Sequence, residues 1–255
     1  MRRTILCSQI TASHNALERA MDDKATLNLV DDFTLKSSPP ARQKALSRLK
    51  QAFATAHFEW ATNSKPPLAC WSYFKLRNAE DWAHEDDPPR DKQKCITTNF
   101  LVAGRMPNGS RLMTGRWSLE WSFHALARLV SPERSPLGAT PLQTLHLAHK
   151  TLLKSSADAI FTYKDKFLLP LADGALLCNA LPATVDGYDT VFVVCHTWLA
   201  DWMGFSNYSR IPPARDHHDA LGAFHLMPPP LRLVDAGDTV HVPAAAIAAF
   251  GQAFA

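Results

Sequence analysis

The chain has 255 residues and a formal net charge of +3, and it is 46% hydrophobic and 20% charged. That size and balance suit one large globular domain or two small ones with a core of normal density. They exclude a disordered, collagenous or coiled-coil chain, and no apolar run approaches the ~18–20 residues of a membrane span. The charge is unevenly spread. The first 170 residues hold 24 cations and 16 anions, whereas the last 85 hold three arginines and eight aspartates, with no lysine or glutamate. A basic part of this kind suits an anionic partner, with RNA favoured, or a protein, or simply a solvated surface.

The five cysteines, Cys7, Cys70, Cys95, Cys178 and Cys195, are odd in number and never spaced as C-x-x-C. That pattern predicts free thiols in a reducing cytoplasm, with no disulfide framework and no four-cysteine zinc site. The opening Met1-Arg2-Arg3-Thr4-Ile5-Leu6-Cys7 lacks the apolar core of a signal peptide, so no leader, anchor or membrane partner is expected.

In chain order, residues 1–54 read as mainly helical. Ser13 caps a run of helix formers to Met21, Ser37-Ser38-Pro39-Pro40 is a break, and Ala41 to Ala54 forms a helix. Its apolar face is Ala45, Leu46, Leu49 and Phe53, and its basic face is Arg42, Lys44, Arg48 and Lys50. The alternation of Thr55, His57 and Glu59 with Ala56, Phe58 and Trp60 predicts a strand, as does the aromatic run Leu68 to Leu76. Asn78 to Lys94 reads as a charged loop. Asn108-Gly109 between two apolar runs predicts a hairpin of 96–106 with 112–119. Ser118 is the expected cap of a helix Leu119 to Val130, and Thr140-Pro141 opens another to about Ser155. Strands follow at 159–163, 166–169, 174–179 and 190–196. Thr197 then caps a short helix to Met203, 204–233 is an irregular proline-rich segment, and Ala244 to Phe254 is helical. The whole predicts an α+β fold with antiparallel sheet, since helices and strands come in blocks. It divides into a sublobe of residues 1–117 and one of 118–255.

The densest polar constellation is Glu120, His124 and Arg128. On a helix these share a face at four-residue steps: a carboxylate to orient the imidazole, the imidazole to move a proton, and a guanidinium to hold phosphorane charge. Ser122-x-His124-Ala125-x-x-Arg128 resembles the helix of small ribonuclease-toxin-like domains of the barnase/RelE type. The resemblance covers about a dozen residues. It implies a helix packed on an antiparallel sheet and metal-independent RNA cleavage. His196, at the end of the strongest strand, is the candidate second imidazole, while Lys164, Lys166 and Trp121 are candidate substrate contacts.

Rival readings remain at this level. His146 and His149, one helical turn apart, suit a metal if His217, His218 or His225 joins them; otherwise one packs and the other is exposed. Cys195 suits a nucleophile if it is not simply buried, although strand alternation keeps it from pairing with His196. No Walker A loop, G-x-G-x-x-G, G-x-S-x-G or H-E-x-x-H occurs, so no metal or cofactor is called for. The leading expectation is a metal-independent ribonuclease-like toxin or defence component. The alternative is a non-catalytic accessory or immunity protein of a mobile element.

Overall fold

Three helices occupy the first part of the chain: α1 (Arg2–Asp22), α2 (Lys24–Leu35) and α3 (Pro39–Ala52). The structure is a computed structural model and describes residues 2–36, 38–62, 67–77, 95–106, 109–131, 140–154, 161–163, 166–171, 174–185, 188–200, 231–233 and 239–240. Asp23 separates α1 from α2 because its carboxylate accepts from the Thr26 amide at 3.0 Å, as an N-cap does. Pro39 and Pro40 sit in the first turn of α3, where a missing N–H costs nothing. The expected basic face of α3 meets solvent through Lys44, Arg48 and Lys50, the last lying 3.8 Å over the Phe58 ring.

The strands are β1 (His57–Ala61), β2 (Ala69–Arg77), β3 (Cys95–Met106), β4 (Gly109–Ser122), β5 (Phe161–Tyr163), β6 (Lys166–Leu171), β7 (Gly174–Val185), β8 (Tyr188–Ala200), β9 (Leu231–Leu233) and β10 (Thr239–Val240). Two further helices, α4 (Phe123–Leu129) and α5 (Pro141–Lys154), lie between β4 and β5. All strands join one sheet, ordered β1-β2-β3-β4-β8-β7-β6-β5, with β9 beside β4 and β10 beside β9. Every joint is antiparallel except β4–β8, where Leu119, Glu120 and Trp121 run parallel to Val193, Val194 and Cys195. The fold is therefore α+β with a mixed sheet. Residue 118, the expected join between sublobes, lies inside β4. Among the described residues, no helix is long and apolar enough to cross a membrane.

Both faces of the sheet are covered, and strand alternation sorts the core in two. Cys70, Phe74, Ile96, Phe100 and Trp121 pack with Leu6 and Ile10 of α1, Leu126 and Leu129 of α4, and Leu145 of α5. Trp71, Tyr73, Leu101 and Leu112 face Leu17 and Met21 of α1, with Val30 and Phe33 of α2 and Leu46 and Leu49 of α3. The β3–β4 hairpin pairs to its end at Met106 and Gly109, and Gly109 takes the positive φ of 116° that a side chain disfavours. Further along, Phe100 stands opposite Gly115. A Cβ there would come within 2.2 Å of the Phe100 ring, so only glycine admits it.

Three irregularities break the alternation. On β1, Phe58 pairs with Trp71 and Trp60 with Cys70, so Glu59 is an extra residue. Phe58 accordingly packs into one core cluster and Trp60 into the other, although they are two residues apart. On β8, Thr197 pairs with Leu177 and Cys195 with Cys178, so His196 is the extra residue. This is why Cys195 and Trp198, three apart, both enter the same core cluster. In the β3–β4 pair, three residues of β4 (117–119) oppose Thr98 alone, and beyond this point β4 gains β8 as a neighbour.

The structure departs from the sequence expectations at several points. Ser118 does not cap a helix: residues 119–122 are strand, and α4 starts at Phe123. Thr197 caps nothing, because β8 runs through it to Ala200. Leu231–Leu233, expected in the irregular segment, form β9 and pair with Met113 and Thr114. The expected loop at 78–94, most of the proline-rich segment and the terminal helix lie outside the described residues.

Candidate functional site

The Ser122-x-His124-Ala125-x-x-Arg128 run lies where β4 ends and α4 begins. Ser122 keeps an extended backbone, and its Oγ accepts from the Ala125 amide at 3.1 Å. The same hydroxyl donates to the carbonyl of His196 at 2.9 Å. One hydroxyl thus starts the helix and ties it to β8, as a donor and acceptor can. Ala125 is fully buried, and its small side chain lets α4 lie close to the sheet. One turn later Arg128 donates through Nη1 to Thr197 Oγ1 at 3.2 Å. Ser122, Ala125 and Arg128 therefore dock α4, and His124 is the exposed member of the run. The Arg3 guanidinium lies 5.6 Å over the Phe123 ring, adding a second cation to this edge.

The other expected members do not all join it. Glu120 is on β4 rather than on a helix with His124. It is 3% exposed and accepts from Arg77 Nη1 at 2.9 Å, so it does not orient His124 as expected. Trp121 is fully buried with Nε1 donating to Thr98 Oγ1 at 3.3 Å, which makes it a core residue and not a stacking platform. Lys164 lies outside the described residues. Lys166 begins β6 and pairs with Asn179 and Tyr163. His196 is half-buried at its bulge beside Thr197. Cys195 is buried, and burial together with the neighbouring Cys178 holds its thiol well above the usual range, so it is not the nucleophile considered from sequence.

A second polar cluster forms between β1 and α5. Thr140 and Gln143 start α5 as a reciprocal pair: Thr140 Oγ1 accepts from the Gln143 amide at 3.3 Å, and Gln143 Oε1 accepts from the Thr140 amide at 2.9 Å. Three residues apart on this helix, His146 and His149 meet β1 and β2. The His57 and His146 rings are 5.3 Å apart, and Phe74 packs against His146 at 4.8 Å and His149 at 5.8 Å. His149 Nε2 is 4.0 Å from Glu59 Oε1, which also accepts from Ser72 Oγ. Burial lowers the pKa of His146 to about 4 and that of His149 to about 3, helped by the neighbouring imidazoles, so both are neutral at pH 7.

Sequence reasoning found His146 and His149 but not their partners. The alternation at 55–60 was visible, but nothing local announced the bulge that turns Glu59 toward α5. Among the described residues, no group of three or more His, Cys, Asp or Glu side chains is set to hold a metal ion.

Comparison of the chain with protein-family models, curated proteins and solved structures returned no match. The functional reading therefore stands on the residues alone. The α4 edge offers an exposed imidazole, with Arg3 over the ring of the preceding Phe123 and Arg128 one helical turn further on. The β1–α5 cluster offers imidazoles and a carboxylate in a largely buried setting. Only the first combines acid–base chemistry with positive charge at the surface, which an anionic phosphodiester needs.

Proposed function

We propose that the protein is a metal-independent, ribonuclease-like toxin or defence component that acts on RNA at the junction of α4 and β8. The observation that carries this reading is exposed His124 one helical turn before Arg128, whose guanidinium is held at Thr197 beside the bulged His196. In this chemistry His124 takes the 2′-hydroxyl proton as that oxygen attacks the adjacent phosphorus. Arg128 and Arg3 stabilise the charge that develops, and His196 is the candidate acid for the leaving oxygen. DNA lacks the 2′-hydroxyl and is not cut by this route. Bulges often re-aim a side chain next to an active site, which suits the position of His196.

One observation favours the second reading, a macromolecule-binding accessory protein without catalysis. Glu120 lies buried on β4 and pairs with Arg77, so it does not take the place beside His124 on a helix that the four-residue spacing suggested. The two readings separate in one assay: a mixed RNA and DNA panel, with EDTA present, incubated with wild type and His124→Ala. RNA cleavage that survives EDTA and is lost in the variant supports catalysis at α4. Cleavage that persists in the variant moves the chemistry away from His124. Tight RNA binding without cleavage supports the accessory protein.

A further inference from the structure

We propose that Cys178 and Cys195 are a peroxide-sensitive dithiol that closes to a cross-strand disulfide between β7 and β8. The inference is independent of the proposed function. The two residues are register partners on antiparallel strands, and their sulfur atoms are 3.5 Å apart. Register partners of this kind have Cα atoms ~4.5–5.5 Å apart, inside the range that a disulfide spans. The bulge at His196 creates the pairing. Without the extra residue the register carried back from Thr197 would set Cys178 opposite His196, and Cys195 would pair one residue further along.

The Cys178 thiol is also 3.7 Å from the Leu176 carbonyl, so its proton has an acceptor on either side. Both side chains are fully buried among Leu176, Trp121 and Trp198. Bulky disulfide reagents are shut out of such a site, whereas hydrogen peroxide is close to water in size. One thiol loses its proton and attacks the peroxide oxygen, giving a sulfenic acid and hydroxide. The second sulfur then displaces that oxygen. Two thiols and one peroxide become one disulfide and two waters, and the sulfurs lose two electrons. Burial raises the Cys195 thiol well above the usual range and makes reaction at that sulfur slow, so closure speeds up as pH rises. Its structural effect is local. The covalent bond would fix β8 to β7 immediately before His196 and Thr197, the two residues to which α4 is tied.

The test uses the reduced full-length protein, treated with hydrogen peroxide or left untreated. Remaining thiols are then alkylated under denaturing conditions and the protein is digested without reductant. The expected product is a cross-linked peptide pair containing Cys178 and Cys195, lighter by two hydrogens and separated by dithiothreitol. The native protein should also protect both residues from an aromatic disulfide reagent. Recovery of both as alkylated thiols or as separate sulfinic acids after peroxide would overturn the proposal, as would a cross-link to Cys7, Cys70 or Cys95. Wild-type mapping decides the matter even if Cys178→Ala or Cys195→Ala does not fold.

Discussion

Arg128 Nη1 lies 3.2 Å from Thr197 Oγ1, so one guanidinium joins the last turn of α4 to the strand that carries His196. Thr197→Val removes the acceptor while nearly keeping the shape, and should cost about 1 kcal/mol in urea unfolding. Arg128→Met should cost a similar amount. Because both variants break the same bond, the double variant should cost little more than either alone. Strict additivity would show that the contact does not hold α4.

Ser122 serves both as cap and as tether, and the two roles can be separated. Ser122→Ala should destabilise the fold by about 1–2 kcal/mol through loss of both bonds. Ser122→Asp keeps a capping oxygen but sets a carboxylate against the His196 carbonyl, so it should fail to restore stability. Ser122→Thr keeps the hydroxyl and should restore most of it. Full rescue by aspartate would mean that capping alone matters.

The Arg77–Glu120 ion pair is buried on both sides, with side-chain exposures of 3% and 4%. Removing one partner breaks a buried ion pair and leaves the other charge desolvated, so Glu120→Leu alone should cost up to about 3–5 kcal/mol. Arg77→Met with Glu120→Leu should recover much of that loss, since a buried pair often only breaks even against an apolar replacement. Denaturant midpoints of the two single variants and the double variant provide the check.

His146 and His149 give stability a defined dependence on pH. Their native pKa values, about 4 and about 3, lie below the ordinary 6.5, so the unfolded chain binds protons first as pH falls. Stability from this source is intact above the unfolded value. It should be lost as pH drops from 6.5 toward 4, by up to about 1.4 kcal/mol per pH unit for each histidine. Thermal midpoints measured from pH 8 to pH 5 should show the decline, and His149→Leu should flatten it. An equal decline in that variant would place the acid sensitivity elsewhere.

Helices α3 and α5 and the strands at 57–61, 69–77 and 95–106 were legible because their caps, prolines and alternation are local signals, whereas α1 starts at Arg2 so that the expected cap Ser13 lies inside it, and the Asp23 break before α2 was not read. The α4 region was misread because a helical column at Glu120, His124 and Arg128 looks the same on paper whether or not residue 120 is helical. What decided it was tertiary. Leu119–Trp121 find parallel partners on β8, and Glu120 finds Arg77, so the strand persists to Ser122. The bulges at Glu59 and His196 escaped for the same reason: an extra residue shows only against its partner strand. For the candidate site, the sequence supplied His124, Arg128 and His196 as names but not the Ser122 and Thr197 contacts that join their elements.

The parallel joint of β4 with β8 has a kinetic consequence. Hairpins such as β3–β4 and β7–β8 close short loops, whereas the joint links Leu119 to Val193 across roughly 70 intervening residues and must meet that loop-closure entropy late. It is only three register pairs long. The two hairpin systems should therefore assemble first and the seam between them last, and the seam should be the first interior part to open. Native-state amide exchange offers a direct reading: faster exchange along 119–121 than along the middle of β2 and β3 is expected, and uniform protection would contradict it. A molecule built this way would carry its α4 edge at the boundary between two independently zippered halves.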